Sequence, residues 1–167
     1  MKRLVICRHA KSAWDNPSLS DHQRPLAERG LRDAPEMAKR LKKQGIYPDY
    51  ILTSDARRAL QTAQITADEL KVDEKKIVIT PKLYHAGPNT ILQQVRSIGA
   101  EINTLFIFGH NPGFTDLIES FGNPIDNLPT CGQFGLIFDA EKWGEISVEN
   151  ARFWFFDYPK SKFPNIQ

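Results

Sequence analysis

Apolar and polar positions alternate along the chain in a way that predicts strands and helices in turn. Short apolar runs have the length and composition of buried strands, and they lie at residues 3–7, 49–53, 77–80 and 104–108. After each run, apolar residues recur at the spacing of an amphipathic helix. These helical positions are Leu31, Ala34, Ala38 and Leu41; Ala56, Ala59, Leu60, Ala63, Ala67 and Leu70; Ile91, Leu92, Val95 and Ile98; and Phe114, Leu117, Ile118 and Phe121. The alternation predicts an α/β fold with a parallel sheet.

Two later segments depart from this alternation. Residues 134–138 and 152–156 both have the pattern of strands, and no helical pattern separates them, so we expect antiparallel neighbours. The expected fold is a three-layer αβα arrangement around a mostly parallel sheet of about six strands. Pro35 interrupts the first helical pattern. Either the helix bends there, or it begins at Asp33, with Glu36 three residues on as its capping partner.

The length and composition fit one domain. With 167 residues, 41% hydrophobic and 25% charged, the chain can bury one core, and we expect a single domain at 1–158 and a tail at 159–167. The net charge of +2 gives no basis for nucleic-acid binding. No stretch is long enough for a membrane span, and residues 1–7 are too short for a signal peptide, so we expect a cytoplasmic protein. Two cysteines, Cys7 and Cys131, are expected to be reduced and buried.

Basic side chains follow three of the predicted strands. His9, beside Arg8, comes directly after the first strand, and His110 follows the fourth. The second strand leads to Arg57 and Arg58 at the start of a helix. Each of these residues alone fits an ordinary turn or a solvated helix end. Their convergence at the carboxyl edge of the sheet, where open α/β sheets bind ligands, favours a phosphate pocket, because guanidinium groups match phosphate oxygens.

Histidine is the nucleophile that the residue spacing leaves for phosphoryl chemistry. The chain has no G-x-x-x-x-G-K-[ST] loop, no G-x-S-x-G elbow and no Asp-x-Asp pair after a strand. A cysteine phosphatase would need an arginine six residues after its cysteine, and those positions hold Ala13 and Ile137. The four histidines lack the spacing of metal ligands, so no metal site is predicted. A neutral imidazole at a strand end is a competent nucleophile towards phosphorus.

Three of these segments resemble motifs of the histidine phosphatase superfamily, also called the phosphoglycerate mutase-like family. The first strand ends in Arg8-His9, which resembles the family's R-H-G signature with alanine in place of glycine. Residues 54–62 are similar to its S-x-x-x-R-A-x-x-T segment, which selects Arg58 rather than its neighbour. Residues 109–111 resemble its second-histidine motif.

A fourth segment narrows the resemblance. Residues 10–14, taken with 21–30, are similar to the bacterial phosphohistidine phosphatases of the SixA type. The short chain, without a long inserted cap, agrees with that type. The resemblance extends from residue 2 to about residue 156, and it implies a phosphoglycerate mutase-like fold.

The resemblance also implies roles for the site residues. His9 would attack the phosphoryl group and form a phosphohistidine enzyme, while Arg8, Arg58 and His110 would bind the phosphoryl oxygens and stabilise the transition state. Water would then release inorganic phosphate as a product. No metal or organic cofactor is implied. The partner would be a protein that carries phosphohistidine, for example a phosphotransfer domain, with no nucleic acid or membrane involved.

Two positions depart from the family pattern. Many members have an asparagine six residues after the nucleophile, where this chain has Asp15, and a carboxylate there would repel a second phosphate. Phosphomonoesterase members carry a glutamate acid in a Leu-x-Glu context, and His85 lies near that place. An ester needs an acid to protonate its leaving alcohol. The missing glutamate therefore favours an N–P substrate, although His85 could serve as the acid, as could Asp21 or Glu28.

Three functions from different classes remain open at this point. The first is a phosphatase that acts on phosphohistidine in a protein. The second is a phosphomonoesterase for a small metabolite, and the third is a non-catalytic module that binds phosphoproteins. The complete set of two histidines and two arginines counts against the third. An open pocket would favour the first function, and a basic, enclosed pocket would favour the second.

Overall fold

Helices and strands alternate along the computed structural model, which describes residues 1–161 and 165–166. The strands are β1 Lys2–Arg8, β2 Tyr50–Ser54, β3 Ile77–Thr80, β4 Thr104–Gly109, β5 Gln133–Phe138, β6 Ala151–Asp157 and β7 Asn165–Ile166. The α-helices are α1 Glu28–Lys43, α2 Arg57–Leu70, α3 Pro88–Arg96 and α4 Gly113–Ser120. Short 3₁₀ turns, among them Asp21–Gln23 and Pro81–Leu83, lie in the connections.

The strands form one sheet in the order β3-β2-β4-β1-β5-β6-β7. β1 and β2 each pair in parallel with β4, and β3 pairs in parallel with β2. β5 runs antiparallel to β1, and β6 runs antiparallel to β5, so β6 points in the same direction as β1. The predicted α/β fold with a mostly parallel sheet is confirmed, and so is the antiparallel pairing of the two late strands. The two-residue strand β7 pairs with β6 at the sheet edge.

The sheet is covered on both faces because its central strands are apolar on both sides. Leu4 and Ile6 of β1 pack in a cluster with residues of α3 and α4. The alternate residues Val5 and Cys7 pack on the opposite face with residues of α1 and α2. This alternation is the period of two expected for a strand, and it produces the three layers. Burial, joined by the charge of Cys131, raises the pKa of Cys7 well above its ordinary value, and both cysteines are unbridged and buried.

The observed start of α1 decides between the two alternatives predicted for the helix that contains Pro35. It starts at Glu28 and contains Pro35 in its interior, so a start at Asp33 is wrong. Asp33 instead lies 3.8 Å from Arg29, one turn back along the helix. Pro35 removes the usual hydrogen-bond donor for the carbonyl of Leu31, whose side chain is half exposed. Gly45, at φ +70°, follows the helix as expected.

The connections that leave the carboxyl ends of the parallel strands meet at one edge of the sheet. The long connection after β1 is irregular, as predicted, apart from the turn at Asp21–Gln23 and a bridge between Ser12 and Leu26. Gly30 lets this connection pack closely on α1, because a Cβ at position 30 would lie only 2.3 Å from the carbonyl oxygen of Lys11. His9 and His110, which directly follow β1 and β4, lie among these connections.

The expected tail at 159–167 is only partly described. Arg40 of α1 donates hydrogen bonds to the carbonyls of Tyr158, Pro159 and Ser161, which fasten the chain up to residue 161. Residues 162–164 and 167 lie outside the described part, and the division into a domain and a tail stays a prediction. In the portion that is described, no helix is long and apolar enough to span a membrane.

Candidate active site

His9 is the first residue after β1, and its ring orientation is fixed by a backbone contact. Its side chain is buried, and Nδ1 lies 2.7 Å from the carbonyl oxygen of Ala10. A carbonyl can only accept, so Nδ1 carries the ring proton and Nε2 keeps its lone pair. The backbone of His9 is held on both sides, by the carbonyl of Gly109 at 3.1 Å and by the N–H of Cys131 at 2.9 Å.

The surroundings keep His9 uncharged. Burial is the main cause that lowers the pKa of His9, and the positive charges of Arg58, Arg8 and Arg24 act in the same direction. Against the opposing effect of the Ala10 hydrogen bond, the net pKa is about 4. The imidazole is therefore neutral at pH 7. A neutral ring with a bare Nε2 is the form in which histidine acts as a nucleophile.

His110 lies beside His9 at the end of β4. The two ring centroids are 5.3 Å apart. Nε2 of His110 lies 2.9 Å from Oγ of Ser54, while its buried Nδ1 has no hydrogen-bond partner among the described residues. Burial, followed by the proximity of His9 and Arg58, lowers the pKa of His110 to about 3. The unpartnered Nδ1 is a polar atom that a ligand can satisfy.

Two arginines place positive charge next to these rings. Arg8 donates to the carbonyl of Leu128 at 3.0 Å, but its buried Nε has no partner in the part of the chain described. Arg58 is almost fully buried, whereas Arg57 is exposed and reaches only the carbonyl of Gln23 at 3.4 Å. Burial and then the neighbouring Arg58 lower the pKa of Arg8. The half-buried Arg8 and the buried Arg58 lie close enough for their charges to interact, and two neighbouring guanidinium groups favour an anion.

Asp21 connects the basic residues into one network. Its Oδ1 accepts from Arg24 at 2.9 Å, and its Oδ2 accepts from Arg58 at 3.0 Å and from the hydroxyl of Tyr84 at 2.6 Å. Desolvation raises the pKa of Asp21, but the hydrogen bonds from Tyr84 and Arg58 and the charge of Arg58 outweigh it, and the net pKa lies well below the usual range. Asp21 is ionised at neutral pH, and it has no proton to donate as an acid.

His85 lies at the open rim of this network. Its Nε2 is 3.3 Å from Oδ2 of Asp21, its ring stacks on Tyr84 at 4.0 Å, and its ring centroid is 5.6 Å from that of His110. The side chain is 56% exposed. His85 has a positive φ of +51°, a conformation uncommon outside glycine, which aims this side chain. The next residue, Ala86, packs its carbonyl oxygen against Gly113 of α4. A Cβ at position 113 would lie only 2.0 Å from that oxygen.

The structure thus brings together the expected nucleophile, His9, and the three residues expected to bind phosphate, Arg8, Arg58 and His110, with Asp21 and His85 beside them. Glu28 and Asp15 are exposed, on the first turn of α1 and in the preceding connection. Their predicted roles stay predictions. Among the residues described, no group of three or more His, Cys, Asp or Glu is arranged as a metal site.

Three contributing residues were not identified from the sequence. Ser54 holds His110, Tyr84 holds Asp21, and the buried Arg24 also holds Asp21. Ser54 and Arg24 both fall inside the motif segments used for the resemblance, and Tyr84 precedes His85 directly. The sequence signal was therefore present, but the partner of each side chain depends on contacts between distant connections.

Comparisons with known proteins agree with this site. A model of the histidine phosphatase superfamily (branch 1) matches residues 4–85, which include Arg8, His9 and Arg58. An uncharacterized chloroplastic protein of Arabidopsis thaliana is 31% identical over 154 residues, covering 86% of this chain and 70% of the relative. An uncharacterized protein of Mycobacterium tuberculosis is 35% identical over 105 residues, and the match covers 63% of each chain. This chain thus spans part of the length of both relatives.

Solved structures share the whole fold. A candidate phosphohistidine phosphatase SixA from Agrobacterium tumefaciens is 27% identical with a TM-score of 0.80, and the match covers 95% of this chain and 98% of that one. The protein histidine phosphatase SixA complexed with tungstate has the same TM-score of 0.80 at 22% identity, covering 94% and 97%. The second likeness concerns the fold alone. The family match and the shared fold support a phosphatase, and this chain belongs to the histidine phosphatase superfamily.

Proposed function

We propose that this protein is a phosphatase that removes the phosphoryl group from a phosphohistidine on another protein, through a covalent phosphohistidine at His9. The observation that carries the proposal is the state of His9: neutral, with its proton fixed on Nδ1, and next to Arg8, Arg58 and His110. The likeness to a candidate SixA phosphohistidine phosphatase at 27% identity supports this substrate class.

The first chemical step transfers the phosphoryl group to His9. Nε2 of His9 attacks phosphorus, the N–P bond of the substrate breaks, and the electron pair returns to the departing imidazole, which leaves neutral because its ring is protonated. The charge on the phosphoryl oxygens is stabilised by Arg8 and Arg58. As His9 becomes positively charged, its Nδ1–H remains bound to the carbonyl of Ala10.

His110 contributes a hydrogen bond to the same oxygens. Oγ of Ser54 already accepts from the N–H of Ala56 at 3.2 Å, and it is free to donate its own proton to Nε2 of His110. The ring proton of His110 then resides on the unpartnered Nδ1, which donates to a phosphoryl oxygen. In the second step water attacks phosphorus, the bond to Nε2 of His9 breaks, and inorganic phosphate leaves.

The openness of the site favours a macromolecular substrate. The side chains of Asp21 and His85 are 40% and 56% exposed, so the network reaches the protein surface rather than the base of an enclosed cavity. A protein segment can therefore present its phosphohistidine directly. No metal or organic cofactor has a role in this mechanism, because the arginines supply the positive charge.

A second candidate function is a phosphomonoesterase for small metabolites, and the position of His85 favours it. A protonated His85 held by the ionised Asp21 could donate a proton to a leaving alcohol at the open rim. Asp21 itself cannot, since it is already ionised. A non-catalytic phosphoprotein-binding module would have no use for a nucleophile with a fixed tautomer.

Side-by-side turnover of a phosphohistidine protein and a panel of phosphate esters separates the two enzymes. We expect a higher kcat/KM for the phosphoprotein. His85→Ala should leave phosphohistidine turnover within about tenfold, whereas an ester that depends on His85 as its acid would lose roughly 10²–10⁴ in rate. Ester turnover that rivals phosphoprotein turnover, and that collapses in His85→Ala, would establish the second function instead.

The two adjacent arginines of α2 provide a matched pair of variants. Arg58→Ala removes a buried charge beside the nucleophile, and kcat/KM should fall by on the order of 10²–10³ because a contact made in the transition state is lost. Arg57→Ala removes an exposed side chain and should change stability by less than about 0.5 kcal/mol and turnover little. Steady-state kinetics of both variants test this, and equal effects would contradict the assignment of Arg58 to the phosphate.

The low pKa of His9 has a direct spectroscopic test. In the free enzyme, the ring proton signals of His9 and His110 should not titrate between pH 8 and about 5.5 in NMR spectra, because their pKa values lie at about 4 and 3. Arg58→Met should raise both pKa values, since the charge of Arg58 lowers both, whereas Arg57→Met should leave them unchanged. A His9 that titrates near its ordinary pKa of 6.5 would show that the proposed neutral state is not enforced by the fold.

A further inference from the structure

Trp14 is a large apolar side chain that the fold leaves open to solvent beside the site. It is 71% exposed, and none of the large hydrophobic residues in the described part is more exposed. It lies in the connection that begins at His9. Large apolar groups on a surface are common singly, so exposure alone does not assign a role to Trp14.

The orientation of Trp14 is what distinguishes it. The guanidinium carbon of Arg24 lies 3.1 Å from the centroid of the Trp14 ring. That guanidinium is itself fixed, because Arg24 is buried and donates to Ser12, to the carbonyl of Ala13 at 3.0 Å and to Asp21 at 2.9 Å. One face of the indole therefore rests on an immobile support, and the rest of the ring is available to a partner.

The same contacts connect Trp14 to the phosphate site. Asp21 binds Arg24 through one carboxylate oxygen and Arg58 through the other. The exposed indole is thus linked to the Arg58 guanidinium by a chain of contacts through Arg24 and Asp21. A protein substrate has surface around its phosphohistidine that can contact the Trp14 ring. A small phosphorylated molecule bound at His9 has no such surface.

We propose that Trp14 is a docking residue for the protein substrate, an inference that rests on the proposed function. The partner presents an aliphatic side chain next to its phosphohistidine, and that side chain packs on the open part of the indole while the phosphoryl group enters between Arg8 and Arg58. A preoriented aromatic ring binds with little loss of side-chain entropy, and tryptophan is over-represented among residues that dominate interface affinity.

Substrate size provides the test. Kinetics are measured for the unmodified enzyme and Trp14→Ala with a phosphohistidine protein and with phosphoramidate, a small N–P compound. We expect Trp14→Ala to lower kcat/KM for the phosphoprotein by about 10- to 100-fold, mainly through KM, and to change phosphoramidate turnover less than about twofold. Trp14→Phe keeps an aromatic face and should recover part of the loss.

Tyr47→Ala is the matched control. Tyr47 is 46% exposed and lies with the first residues of β1 and β4, at the sheet edge opposite the site. This variant removes exposed aromatic surface away from the phosphate site, and neither substrate should be affected.

Other outcomes overturn the docking role. Equal losses on both substrates would mean that Trp14 acts only by supporting Arg24, and no loss on either would mean that the substrate does not touch it. A change of molar mass in Trp14→Ala during sedimentation, with kinetics unaltered, would assign the ring to a second copy of this chain. Failure of the proposed function can be told apart from failure of the docking role, because the unmodified enzyme would then show no preference for the phosphoprotein over phosphate esters.

Discussion

The hydrogen bond from Nδ1 of His9 to the carbonyl of Ala10 is the contact on which the proposed chemistry depends. At 2.7 Å it fixes both the tautomer and the direction of the ring. Without it, the buried imidazole could carry its proton on either nitrogen, and Nε2 would not be committed to attack. The contact is local, but the backbone of His9 is itself held between the carbonyl of Gly109 and the N–H of Cys131, which lie far away in the chain. The sheet thus helps to determine the state of the proposed nucleophile.

The charged side chains around His9 have two requirements to meet in the proposed mechanism. The ring must stay neutral, yet the phosphoryl group needs cations near it. In the proposed mechanism Arg8 and Arg58 meet both needs, because their charges oppose protonation of His9 and would attract the phosphoryl oxygens. Asp21 offsets part of this charge and orients Arg58. Because Asp21 binds Arg24 and Tyr84 as well, one carboxylate holds side chains from three separate segments of the chain.

Much of the fold was predictable because its signals are local. Apolar runs located the central strands, and the two late strands were correctly paired as antiparallel neighbours. Placing His9 and His110 at strand ends was enough to bring them together, since parallel strands share an edge. The start of α1 was less certain from sequence: interior prolines usually end helices, and the packing of Gly30 against Lys11 that accompanies the earlier start is a tertiary contact.

The residues around the site that were harder to predict come from irregular connections and from the end of β2. Arg24, Tyr84 and Ser54 have no periodic pattern, and each meets its partner across the sheet edge. Motif spacing distinguished Arg58 from Arg57, and the burial of the two side chains agrees with that choice. By contrast, besides Glu28, the sequence left Asp21 and His85 open as candidates for an acid. Their contact, and the low pKa of Asp21, separate a positioning carboxylate from an exposed imidazole.

Trapping the covalent intermediate is the most direct test of the central claim, which is that His9 is the nucleophile. Rapid quenching in base with a substrate labelled on its phosphoryl group, followed by peptide mapping, should find the label on His9, in a bond that survives base and is lost in acid. His9→Ala should form no such species and should lose turnover. A label on another residue, or a His9→Ala protein with near-normal turnover, would contradict the account.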